Sequence, residues 1–167
     1  MEDIKKIMVA LAFSEHAEDI FNYAVGLAKP AKAELVVVNI INSRDVQAVR
    51  KISAMGYDVD GEHYVEGVRK EREEILEQII RASAFPPEKI STIFKVGNPV
   101  DELLKITVEK DIDLIVMGIK GHTDVEHFFV GSVAEKLFRR SPVPVISYRN
   151  KEQTQRLRNR IELSQPG

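Results

Sequence analysis

Cysteine is absent from this chain. Without thiols there is no disulfide and no thiolate-held metal, and a reducing compartment is permitted though not required. Long apolar runs are missing too, and the amino-terminal Met1 to Lys6 leads into a strand-like stretch with no signal-peptide core. A cytoplasmic protein with no membrane partner is the expectation. Nor does either charge sign dominate: the formal charge is −2 and the pI near 6.1. Broad attraction to nucleic acid needs a concentrated basic face, so no nucleic-acid partner is expected; the one basic cluster is terminal. What the chain does have is 167 residues, 44% of them hydrophobic and 30% charged. That describes one globular domain able to bury a core unaided.

Apolar runs and helical periodicities alternate along the chain. Ile7-Met8-Val9-Ala10-Leu11 suits a strand covered on both faces, and Ser14 then precedes a helix through Ala17, Ile20, Phe21, Ala24 and Ala28 that Pro30 is expected to stop. Leu35 to Ile41 is a second strand, interrupted near its carboxyl end by Asn39. From Asn42 to about His63 the chain is polar and reads as a long connection, a lid or mobile insertion, although Val46, Val49 and Ser53 have the spacing of a short helix. Val65, Val68, Arg72, Ile75, Ile79 and Ser83 mark one face of the next helix, with a solvated charged face opposite and Pro86-Pro87 beyond. Ile90 to Val96 is a third strand. Asn98 as cap and Pro99 as first residue open a helix burying Val100, Leu103, Leu104 and Thr107, and Ile112 to Met117 is a fourth strand. Val133, Ala134, Leu137 and Phe138 line a helix ending at Arg139-Arg140, and Pro142 to Tyr148 is a fifth strand whose prolines suggest a sheet edge. The tail from Asn150 reads as a frayed polar extension.

Strand and helix alternation of this kind predicts an open parallel sheet with helices on both faces. Ligands of such sheets bind beyond the carboxyl ends of the strands, where the strand order reverses. The stretch from Asp113 to Ala134 fits that place: a buried strand, then Gly118 and Gly121, then Gly131-Ser132 opening a helix. Glycines let backbone N–H groups approach an anion closely, and a helix start attracts one.

The spacing Gly-x2-Gly-x9-Gly-Ser of Gly118, Gly121, Gly131 and Ser132 resembles the nucleotide-binding signature of the universal stress protein family. The flanks agree: Asp113 to Met117, Val96-Gly97-Asn98-Pro99 and Pro142-Val143-Pro144-Val145 are similar to the family's fourth strand, third turn and last strand. The resemblance spans about Lys5 to Arg149. It implies a Rossmann-like α/β domain over residues 1–149, five strands in the order 3-2-1-4-5, followed by a polar extension over 150–167. It also implies ATP (or AMP or ADP) as ligand, Mg2+ or Mn2+ held through the phosphates, and a homodimer formed through the fifth strand, Val143 to Tyr148. By position, Gly118, Gly121, Gly131, Ser132, Val133 and Ala134 fall on phosphates and ribose, Met117 and Ile40 beside adenine and ribose, and Ala10, Leu11 and Ala12 along the wall. Lys120 and His122 are further candidates in the loop. One departure stands out, because Ala12 occupies a position where the family commonly has aspartate. Loss of one side-chain hydrogen bond weakens binding by roughly 1 kcal/mol without touching the phosphate cradle.

Three roles remain open. A nucleotide-binding regulator of the stress response is the first; a weak ATP hydrolase using His122 or Asp124 is the second, with catalysis leaning toward none. A ligand-free dimeric scaffold is the third. His122, Asp124, Glu126 and His127 also form a polar cluster, read as solvated rather than as a protein-built metal site.

Overall fold

The structure, a computed structural model, describes residues 3–13, 15–119 and 132–164. Its core is one parallel sheet of β1 (Lys6–Ala10), β2 (Glu34–Asn42), β3 (Ile90–Gly97), β4 (Leu114–Gly118) and β5 (Val145–Tyr148). The spatial order is β3-β2-β1-β4-β5, the order implied by the family resemblance. In register, Met8 lies between Val36 of β2 and Ile115 of β4. The Asp113 carboxylate accepts from the Lys5 and Lys6 amides at 2.8 and 2.9 Å, which pins the start of β1 beside β4.

Helices cover both faces, so the central strands are apolar on both sides. On one face, α1 (Ala17–Ala31) and α3 (Gly61–Ala82) pack Ile20, Phe21, Ala24, Leu76 and Ile79 against Ile7, Val9, Leu35, Val37 and Val116. On the other, α4 (Pro99–Glu109) and α5 (Ser132–Arg140) pack Leu103, Ile106, Ala134 and Leu137 against Met8, Val36, Val38, Ile115 and Met117. Asn98 caps α4 through the Asp101 amide, with Pro99 at the first helical position as expected.

Several boundaries depart from the sequence expectation. Pro30 does not stop α1, because it falls in the last turn; the helix closes at Lys32, a left-handed residue whose amide bonds back to Ala28 and Lys29. Residues 42–63 are not a long irregular connection. Asn42 caps α2 (Ser43–Ala54), and Asp60 caps α3 through the Glu62 amide, so only a short link separates the two helices. Past the sheet, the expected frayed tail is α6 (Lys151–Leu163), opened by a capping box in which Asn150 and Gln153 bond each other's backbone amides. Among the described residues no helix is long and apolar enough to cross a membrane.

Candidate functional site

The sheet order reverses between β1 and β4, and their carboxyl ends meet the start of α5. On the face covered by α4 and α5, Ala10 stands beside Val38 on one side and Met117 on the other. Ile40 continues that face one step further along β2, next to Lys95. Gly118 closes β4. Ser132 opens α5 on the exposed side, Val133 is half-buried and Ala134 is buried against the core shared with Met117. The first-turn amides of a helix lack intrahelical acceptors and carry the positive end of its dipole, which makes a helix start a general place for an anion.

Thus the fold brings Ala10, Leu11, Ala12, Ile40, Met117, Gly118, Ser132, Val133 and Ala134 to one end of the sheet. Lys120, Gly121, His122 and Gly131, with Asp124, Glu126 and His127, lie outside the described residues. Among those described, no group of three or more His, Asp or Glu side chains could hold a metal ion.

Beyond β1 the chain leaves the sheet along a tightly specified path. The Leu11 amide donates to the Val38 carbonyl at 3.0 Å, and the Leu11 carbonyl accepts from the Asn39 side-chain amide at 2.6 Å. Half-buried Ala12 follows, then Phe13 in the left-handed region at φ 53°, its ring stacked on Phe94 with centroids 6.2 Å apart. The Arg69 guanidinium lies 5.9 Å from the Phe94 centroid. Asn39, 3% exposed, accepts in turn from Arg72 at 2.7 Å, and burial pulls the Arg72 guanidinium below its ordinary pKa.

Two polar features of the α4–α5 face were not anticipated from the sequence. Lys95, beside Ile40, pairs with Glu102 of α4 at 3.4 Å, and Glu102 also accepts from Lys105 at 3.0 Å. Those ammonium groups, Lys105 first, hold the Glu102 carboxyl below its ordinary pKa. Ser147, paired in register with Met117, carries a buried hydroxyl with no hydrogen-bond partner among the described residues. The two-residue period of a strand, which sets Ser147 on the same face as Val145, was the available signal for the latter.

A parallel sheet of this order, reversing between β1 and β4 with helices on both faces, defines a doubly wound α/β protein. The sequence profile of the universal stress protein family matches residues 3–149. The chain belongs to that family. A Staphylococcus aureus protein (strain USA300) bearing the universal stress protein name is 33% identical over 150 residues, covering 89% of this chain and 86% of that one. The universal stress protein UspA from Lactobacillus plantarum superposes with a TM-score of 0.62 at 21% identity, covering 89% of this chain and 100% of that one. A universal stress protein in complex with cAMP gives 0.59 at 23% identity, with 89% and 99% covered. The Archaeoglobus fulgidus universal stress protein in complex with dAMP gives 0.60 at 22% identity, with 89% and 100% covered.

Proposed function

We propose that this protein binds an adenine nucleotide, ATP or its AMP or ADP counterpart, in the crevice between β1 and β4, and acts as a regulatory dimer of the cytoplasmic stress response. The observation that carries the reading is the convergence of Ala10, Ile40 and Met117 on one face of the sheet, with Gly118 closing β4 beside them, at the end where α5 begins. Apolar walls and helix-start amides are the two halves a nucleoside phosphate requires. Adenine and ribose pack against Ile40 and Met117 along the Ala10–Ala12 wall, while the phosphates lie on Gly118, Gly121, Gly131 and the amides of Ser132, Val133 and Ala134. Lys120 and His122 complete the loop side. A divalent ion, Mg2+ or Mn2+, supplies charge neutralisation on the phosphate oxygens. Two relatives of the same fold were solved with adenine nucleotides, cAMP and dAMP, which supports the ligand class.

The dimer uses β5, which stands at one end of the strand order and leaves an edge for a second copy to pair along Val143 to Tyr148. Equilibrium binding of labelled ATP to the purified chain tests the reading. Saturable binding that weakens at least tenfold in Gly131→Val, whose side chain would stand where the phosphates approach, is expected. No saturable binding at millimolar nucleotide refutes it.

A further inference from the structure

We infer that Asn39 and Arg72 are positioning residues for the crevice: a two-bond relay from α3 holds the Leu11 carbonyl and thereby sets the Ala10–Ala12 wall. The inference rests on the nucleotide reading above and names the residues that shape its nucleoside side.

Asn39 lies on the α1–α3 face of β2, where Leu35 and Val37 are core residues, and is as buried as they are. A carboxamide is costly in such a place unless both ends are bonded. Both are: Nδ2 donates to the Leu11 carbonyl at 2.6 Å, and Oδ1 accepts from Arg72 Nη1 at 2.7 Å. The orientation is forced, since the flipped amide would set its NH2 against a guanidinium and its oxygen against a carbonyl. Leu11 is where β1 parts from the sheet, and the carbonyl that Asn39 holds belongs to the peptide whose nitrogen is Ala12's. Fixing that peptide plane orients Ala12 and delivers Phe13 into its left-handed turn against Phe94.

Arg72 is the outer anchor. It stands one helical turn from Arg69, which pairs with Glu73 and lies over Phe94, so α3 grips the wall at two neighbouring points. Burial pulls the Arg72 guanidinium below its ordinary pKa, and Tyr64, Glu71 and Asp45 act in the opposite direction. Neither Asn39 nor Arg72 lies on the α4–α5 face that carries Ile40 and Met117. Their effect on a ligand therefore passes through the Leu11–Ala12 peptide.

Two variants cut the relay at different bonds, measured in the full chain. Asn39→Asp keeps an acceptor for Arg72 but sets an oxygen against the Leu11 carbonyl; Arg72→Met removes the outer donor and keeps the apolar stem. Each is expected to weaken ATP binding by about tenfold, the equivalent of one misplaced hydrogen bond. Each is also expected to shift the NMR resonances of the Leu11 carbonyl carbon and the Ala12 amide nitrogen. Arg72→Lys, which retains the single donor that the relay uses, restores both readouts. Wild type that binds ATP while both variants bind equally well overturns the relay and leaves the nucleotide reading standing. So does a loss of affinity with unmoved Leu11 and Ala12 resonances, or a failure of Arg72→Lys to rescue. Wild type with no saturable ATP binding overturns the nucleotide reading and this role together.

Discussion

A methyl group added at Gly97 probes the polar clasp at the crevice end of the sheet. An alanine Cβ there would stand 2.7 Å from Glu102 Cγ and 3.3 Å from its Cδ, closer than carbon atoms tolerate, and the Glu102 side chain must swing away. The movement separates Glu102 from Lys95 and Lys105, now 3.4 and 3.0 Å away. The Glu102 side chain is 16% exposed, but the lysines are 41% and 60% exposed, so solvent screens both pairs. The Lys95–Glu102 pair contributes at most about 1 kcal/mol, a loss that for a protein of this size lowers the melting temperature by about 2–4 °C. Glu102 titrates below its ordinary value of 4.5 when folded, so its stabilisation is complete above that pH and disappears as the pH falls through the lower, folded value. Urea denaturation of wild type and Gly97→Ala at neutral pH, and again at the lowest pH at which wild type still folds, should show a difference that narrows in acid. A difference of the same size at both pH values would assign the loss to steric crowding of the Glu102 side chain and refute the electrostatic account.

Other consequences follow from the crevice itself. Ala12→Asp, at the half-buried position following Leu11, should tighten ATP binding by about two- to tenfold, one net hydrogen bond, as read by calorimetry; unchanged affinity would place the nucleoside away from β1. Ser147→Ala deletes a buried hydroxyl that has no partner among the described residues, so the ligand-free protein should gain about 1 kcal/mol in chemical denaturation. A loss of stability there would mean that the hydroxyl is satisfied in solution.

Where burial is strong and two-sided, sequence pattern and structure coincide. The runs at Ile7–Val9, Leu35–Val38 and Leu114–Met117 are buried on both faces, and only a central parallel strand needs that composition. Helices α2 and α6 were faint for the opposite reason: Val46 is the one buried residue of α2, and α6 has none, so neither carries a strong apolar stripe. Caps were the surviving signal. Asn42 and the Asn150–Gln153 box precede the two helices that periodicity left faint, and Asp60 marks where α3 begins.

The candidate site was legible in the same uneven way. Spacing of Gly118, Gly121, Gly131 and Ser132 pointed to one end of the sheet, and the fold sets Gly118 and Ser132 there. Arg72 already interrupted the apolar stripe of α3 and Asn39 the apolar run of β2, yet nothing local links residues 33 positions apart. Their pairing is a product of the crossover that lays α3 across β2, and only the assembled fold expresses it.

The most direct test of the central claim is the backbone amide spectrum of the isotopically labelled chain recorded through an ATP titration. Saturable shifts concentrated at Ala10–Ala12, Ile40, Met117–Gly118 and Ser132–Ala134 are predicted. Shifts confined to α2, α6 or the β3 edge, or none at saturating nucleotide, would contradict it.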